Sequence, residues 1–204
     1  MKVKICGITN ISDALLCESL GADALGFIFY NKSKRYIAPD EAAYISKQLS
    51  PLTLKVGVFV NENIENVRAI YNEAKLNIVQ LHGNEDYEYI QYLDIPVIKS
   101  FRIDDNFDFD LLNNYPGVTY LFDAYSESAR GGTGKAFNWN LIPDIYKNKI
   151  ILAGGVSAEN LEEIINIIDP LAVDLSSSIE SVPGKKDKNK TEFFFNKLKQ
   201  IRRT

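Results

Sequence analysis

Three reactive side chains of this 204-residue chain stand directly after short apolar runs: Cys6 after VKI, His82 after IVQL and Asp123 after VTYLF. A thiolate can remove a proton and a carboxylic acid can supply one. Cys6 and Asp123 together therefore suit an isomerisation, in which a proton leaves one atom and another arrives elsewhere. An unperturbed thiol has a pKa of about 8.5, and lowering it to about 7 takes roughly 2 kcal/mol, which a nearby cation could supply. Each residue also has a plainer reading. A free cysteine is commonly a small buried apolar residue, the fate expected of Cys17 inside an amphipathic stretch. Asp123 could cap a helix or pair with a cation. His82, the sole histidine, could be an acid, a base, a positioning donor or a structural residue.

Two small-residue turns suggest an anion site. Gly154-Gly155 follows the run IILA, and Ser176-Ser177-Ser178 follows AVDL. Glycine lets backbone N–H groups approach an anion closely, and serine adds hydroxyl donors. Tight turns alone would account for the same residues. Arg35, Arg102, Arg130 and Lys135 form a basic set beside these turns. Arginine grips a carboxylate through two parallel hydrogen bonds, although solvated surface charge is the commoner fate. Arg35 stands out because it lies in the loop SKRY. The loop RGGTGK contributes Gly132. Asp174, flanked by Val173 and Leu175, points into the interior and needs a partner there.

Something must bring these residues together. Eight apolar runs read as strands: Val3–Cys6, Ala24–Phe29, Lys55–Val60, Ile78–Leu81, Val97–Phe101, Thr119–Phe122, Ile150–Ala153 and Ala172–Leu175. Several lack polar alternation, as buried parallel strands do. Eight amphipathic stretches follow them, at Ile11–Leu20, Pro39–Leu49, Asn61 or Asn63 to Lys75, Asn84–Leu93, Asn106–Tyr115, Asn138–Lys147, Ser157–Ile168 and Lys188–Arg203. The alternation predicts an α/β fold, a single (β/α)8 TIM barrel over 1–204, with a doubly wound open sheet as the alternative. A barrel carries its chemistry at the C-terminal ends of its strands, where all the residues above fall.

The bulk properties agree. Hydrophobic residues make up 46% and charged residues 25%, with a formal charge of −4, which argues against nucleic-acid binding as the main task. Two cysteines do not make a disulfide scaffold, and no metal-ligand spacing is present. No signal-peptide core opens the chain, and no apolar run approaches the roughly 20 residues of a membrane span. The expectation is a cytoplasmic protein with a small-molecule substrate, as a monomer or homodimer.

The segments KICGIT, GFIFYNKSKRYI, VGVFVNE, VQLHGNE, PVIKSFR, GGTGKAFNW, LAGGVSAEN and VDLSSSIESVPGKKD, in that order over nearly the whole chain, resemble the phosphoribosylanthranilate isomerase family of tryptophan biosynthesis. The resemblance implies a TIM barrel that uses no metal and no cofactor. It implies an Amadori rearrangement of N-(5-phosphoribosyl)anthranilate to 1-(2-carboxyphenylamino)-1-deoxyribulose 5-phosphate. By similarity Asp123 is the general acid and Cys6 the general base. Arg35 would hold the anthranilate carboxylate, and Gly154, Gly155, Ser176 and Ser177 the phosphate. His82, Gly132 and Asp174 join the substrate-binding set.

Two positions depart from the family pattern. Ser178 stands where the family usually has glycine, which would cost about 1 kcal/mol or more if the position needs a positive φ. Otherwise its hydroxyl is an added donor. Lys185 replaces a valine in a loop. Two other readings are a related aminoimidazole ribonucleotide isomerase of histidine biosynthesis and a non-catalytic ligand-binding barrel. The former would want a second phosphate site and an acidic residue at position 6. The latter would mark itself by loss of the acid or base.

Overall fold

A computed structural model describes residues 1–124 and 138–202. Eight parallel strands close into a barrel in sequence order: β1 (Lys2–Cys6), β2 (Ala24–Ile28), β3 (Leu54–Phe59), β4 (Ile78–Leu81), β5 (Val97–Ile103), β6 (Thr119–Ala124), β7 (Ile151–Ala153) and β8 (Ala172–Leu175). β8 returns to pair with β1, with Lys4 opposite Asp174. Each strand lies within two residues of its expected ends. The open-sheet alternative falls away with closure.

The two faces of each strand meet different surroundings. Val3, Ile5, Leu25, Phe27, Val79, Leu81, Phe122, Leu152, Val173 and Leu175 pack outward in one large core shared with the helices. Ala24, Val56, Ile98, Leu121, Ile151 and Ala172 form a separate small cluster inside the barrel. Because both faces are covered, the strands read as continuous apolar runs. Above the inner cluster, the next inward positions on four strands are polar: Lys4, Gln80, Ser100 and Asp174, all buried. The inner face thus runs from an apolar floor to a chemically active mouth.

The described residues hold six α-helices: α1 (Ile11–Leu20), α2 (Pro39–Ser46), α3 (Ile64–Glu73), α4 (Tyr87–Leu93), α5 (Leu161–Ile167) and α6 (Lys188–Ile201). Side chains of Asn10, Asn63, Asp86 and Asp187 accept the first free backbone N–H groups of α1, α3, α4 and α6, which settles Asn63 over Asn61 as the start of the third helix. Two expected helices are corrected. The stretch 106–115 is a 3-10 helix, Phe109–Asn114. Its apolar positions at Phe107, Phe109 and Leu111 alternate by two, and Pro116-Gly117 ends it. The stretch 138–147 keeps only a three-residue 3-10 turn, Trp139–Leu141, because Pro143 lacks an N–H and turns Ile142 away from helical geometry. A short antiparallel hairpin of β9 (Glu180–Val182) and β10 (Lys185–Lys186) follows β8 and was not read from the sequence. No described helix is long and apolar enough to cross a membrane.

Candidate active site

The C-terminal strand ends surround a cavity of about 430 Å³. Cys6, Arg35, His82, Asp123, Gly154, Gly155, Asp174, Ser176 and Ser177 all line it. The remaining candidate, Gly132, lies outside the described residues, as do Arg130 and Lys135. Arg102 is not in this cavity. It lines a neighbouring one of about 770 Å³ beside β4 and β5, which shares His82 and Asp123.

Cys6 ends β1 at the cavity wall and is 7% exposed. Burial, with Asp174 adding to it, holds its thiol above the ordinary value, and the opposing charges of Lys4 and then Lys186 offset only part of that rise. Asp123 lies one residue before the end of β6, three strands away around the barrel, so thiol and carboxyl reach the cavity from different walls. His82 Nε2 lies 3.5 Å from Asp123 Oδ2, and both side chains are about one-third exposed. The other imidazole nitrogen, Nδ1, is 3.1 Å from Gln80 Nε2, which also donates to Ser100 Oγ. With Nδ1 accepting, the neutral ring carries its proton on Nε2, facing the carboxylate.

Arg35 is fixed by Glu180. Its Nε and Nη2 donate to the two carboxylate oxygens at 2.8 and 2.6 Å. Glu180 also accepts from Lys186 Nζ at 3.0 Å and from the Gly184 N–H. Lys186 Nζ in turn donates to the Cys6 carbonyl at 2.7 Å. The hairpin therefore ties the arginine loop to the end of β1. Close approach matters here. Gly7 has φ 76°, and a β-carbon there would sit 2.6 Å from Arg35 Cδ, so only glycine lets the arginine pass.

The turn after β7 has two consecutive left-handed residues, Gly154 and Gly155, at φ 80° and 71°. A β-carbon at each would cost roughly 1–2 kcal/mol. The turn after β8 is a 3-10 helix, Ser177–Ile179. Ser178 has no positive φ, so its replacement of glycine introduces no left-handed strain. Ser176 Oγ, Ser178 Oγ and Asp174 Oδ1 are shielded from solvent and have no hydrogen-bond partner among the described residues. All three residues line the cavity. Unsatisfied polar groups so placed are held ready for a polar ligand.

The sequence profile described as N-(5'phosphoribosyl)anthranilate (PRA) isomerase matches residues 3–197 of this chain. The chain belongs to that family.

Relatives of the same name agree along the whole length. The protein from Geotalea uraniireducens is 46% identical over 201 residues, covering 98% of this chain and 99% of its own. The crystal structure of the phosphoribosyl anthranilate isomerase from Thermotoga maritima superposes with a TM-score of 0.90 at 42% identity, covering 98% and 99% of the two chains. A second family structure, in complex with reduced 1-(o-carboxyphenylamino)-1-deoxyribulose 5-phosphate, has a TM-score of 0.87 at 40% identity, covering 98% and 99%.

Several site residues of this family member escaped the reading of single residues. Lys4 is the partner that Asp174 needed, at 2.7 Å. Glu180 and Lys186 lie within VDLSSSIESVPGKKD, where neither stands out as a single residue. The signal was the spacing of opposite charges across Pro183-Gly184, which a tight hairpin brings together. Lys185 points to solvent on that hairpin, where a lysine replaces valine without disturbing a core.

Proposed function

We propose that this chain catalyses the Amadori rearrangement of N-(5-phosphoribosyl)anthranilate to 1-(2-carboxyphenylamino)-1-deoxyribulose 5-phosphate, the isomerase step of tryptophan biosynthesis. The observation that carries the reading is the joint placement of Cys6 and Asp123 on different walls of one cavity, with small-residue turns at Gly154-Gly155 and Ser176-Ser177 on its rim.

Asp123 protonates the furanose ring oxygen, and the bond from that oxygen to C1 breaks. The nitrogen lone pair forms a Schiff base at C1. Cys6, as thiolate, removes the proton at C2. The electron pair of that C–H bond forms the C1–C2 double bond of an enolamine, which tautomerises to the ketone. Each positioned proton transfer contributes about 10²–10⁴ in rate. Protons leave and return through side chains, so the reaction as read calls on no cofactor.

Arg35 binds the anthranilate carboxylate with the N–H groups that Glu180 leaves unused. Gly154, Gly155, Ser176 and Ser177 hold the phosphate, and Gly132, outside the described residues, belongs to the substrate-binding set. Asp174 Oδ1 accepts from a ribose hydroxyl, and His82 Nε2 orients Asp123. We take the chain to act as a monomer or homodimer. One solved relative is a mutually generated monomer of a dimeric Thermotoga maritima isomerase. The reading carries with it a cytoplasmic location and a small-molecule substrate.

The test follows anthranilate fluorescence when purified protein meets freshly made phosphoribosylanthranilate. Rapid loss of signal, reduced about 10²–10⁴-fold in Cys6→Ala and in Asp123→Asn, is expected. A folded wild-type protein without turnover would overturn the assignment. Full turnover in Cys6→Ala would remove Cys6 as base.

A further inference from the structure

Lys4 lies inside the barrel, where a lysine contributes little that an apolar side chain would not. Its side chain is 3% exposed and its Nζ sits 2.7 Å from Asp174 Oδ2, itself 7% exposed. Taking two charges out of water costs several kcal/mol per ion, and well-packed apolar residues are often as stable or more so. Packing therefore does not account for this pair. Its location offers a reason.

Lys4 and Cys6 are two residues apart on β1, so the strand repeat turns both to the interior. Cys6 pairs in register with Gly26 of β2. A β-carbon at Gly26 would lie 2.9 Å from Cys6 Sγ and 3.2 Å from Lys4 Nζ. Sulfur and ammonium therefore flank one gap, left open because position 26 has no side chain. The register also puts Asp174 opposite Lys4, so the carboxylate holds the ammonium from the β8 side.

We propose that Lys4 is a positioning residue for the thiol chemistry, its ammonium favouring, against burial, the thiolate form of Cys6 that the isomerase reading calls on. Forming the thiolate releases the thiol proton to water through the cavity mouth. Lys4 stays an ammonium and Asp174 a carboxylate throughout. When Cys6 takes the substrate proton it becomes a neutral thiol, and the Lys4–Asp174 pair balances itself. Other charges also face the sulfur. Lys186 lies behind the Cys6 carbonyl, and Arg35 is close enough to feel the thiolate. Asp174 opposes, and His82 and Asp123 act on Asp174 from the mouth. Among the groups acting on Cys6, the pull of Lys4 exceeds both the push of Asp174 and the pull of Lys186. Burial acts on Lys4 against its charge, but Asp174 and Cys6 leave its ammonium above the ordinary value.

The proposal rests on the isomerase reading for its catalytic consequence, and its test has a readout that does not. Cys17, pushed to about 12 by burial, is changed to Ala so that only one thiol reports. The rate of iodoacetamide labelling at Cys6 is followed against pH, alongside the acidic limb of kcat/KM. In Lys4→Met both apparent pKa values should rise by about one unit or more, a tenfold drop in thiolate at neutral pH. Lys4→Arg, which restores the charge, should bring both back toward wild type. If Lys4→Met fails to fold, Lys4→Met/Asp174→Asn removes both charges, and a smaller rise is expected. A labelling profile unchanged in Lys4→Met, or in the double variant, overturns the proposal even if turnover is normal. A Lys4-dependent labelling profile in a wild-type protein without turnover supports the charge coupling and refutes the assigned reaction.

Discussion

Arg35 and Glu180, 145 residues apart in the chain, meet in a two-pronged ion pair, with Nε to Oε1 at 2.8 Å and Nη2 to Oε2 at 2.6 Å. The carboxylate is 4% exposed and the guanidinium 23%. Glu180 thus fixes the plane of an arginine that lines the cavity, leaving part of its fork for a ligand. Glu180→Gln keeps the shape and weakens the grip on Arg35. A hydrogen bond to a charged group contributes about 1.5–3 kcal/mol, so KM should rise roughly tenfold or more. The kcat should fall less, because the anthranilate carboxylate is held in ground and transition states alike. Steady-state kinetics decide it, and an equal fall in kcat with KM unchanged would contradict a binding role for the pair.

The same carboxylate makes stability depend on pH. Burial pushes Glu180 up, but its hydrogen bond to Arg35 and the charge of Lys186 outweigh burial and hold it below the ordinary carboxylate value. A carboxyl depressed in the folded state contributes stability that is full above its unfolded pKa. That contribution is lost as pH falls through the folded value. Urea midpoints of wild type and Glu180→Gln should therefore differ most near neutrality and converge only as pH falls below the ordinary carboxylate range. A constant gap across that range would show that the substitution acts through packing alone.

Much of this arrangement is legible in the sequence, for a physical reason. In a barrel covered on its outside, every strand is apolar on one face throughout and on the lower part of the other. Runs such as VGVFV and LGFIF therefore announce themselves. The reactive residues fall where those runs stop, so Cys6, His82 and Asp123 could be picked by position. The fifth and sixth crossovers were not legible, because FDFDLL alternates by two and Pro143 interrupts the sixth stretch. Lys4 was hidden for another reason. In VKIC it looks like an ordinary polar position, and its partner Asp174 is 170 residues away. Buried ion pairs between distant strands leave no local mark. Glu180 shows the same limit, since only the hairpin turn makes it a neighbour of Lys186.

Ser178 supplies a prediction that separates this chain from the usual family pattern. Its Oγ is shielded, has no hydrogen-bond partner among the described residues and borders the cavity beside Ser176 and Ser177. As an added donor to the substrate phosphate it would contribute about 1.5–3 kcal/mol, the range for a hydrogen bond to a charged group. Ser178→Ala should raise the inhibition constant for inorganic phosphate and the KM for substrate by roughly tenfold. Ser178→Gly should do the same without unfolding the turn, since glycine tolerates the backbone angles found here. Unchanged phosphate inhibition in both variants would show that the hydroxyl faces away from the anion.

The loop that presents His82 rests on a second buried pair. Lys99 Nζ lies 2.8 Å from Glu85 Oε2, and each side chain is 2% exposed. Glu85 also accepts the backbone N–H groups of Asn61 and Gly83, at 2.7 and 3.0 Å, and Lys99 donates to the Gly83 carbonyl at 2.7 Å. Two loops, after β3 and after β4, are thereby fixed to β5 directly behind the imidazole. Lys99→Met leaves Glu85 charged and buried without its cation, a loss of about 3–5 kcal/mol. Glu85→Gln leaves the ammonium in the same position but can keep one accepted N–H bond, so it should cost less. The double variant removes both charges. It should be more stable than the sum of the single losses implies, with a coupling of at least about 1 kcal/mol for residues in direct contact. Urea unfolding of the four proteins measures this directly. Additive losses would mean that the two charges do not sense each other. The loop would then be held by the backbone hydrogen bonds of Glu85 alone.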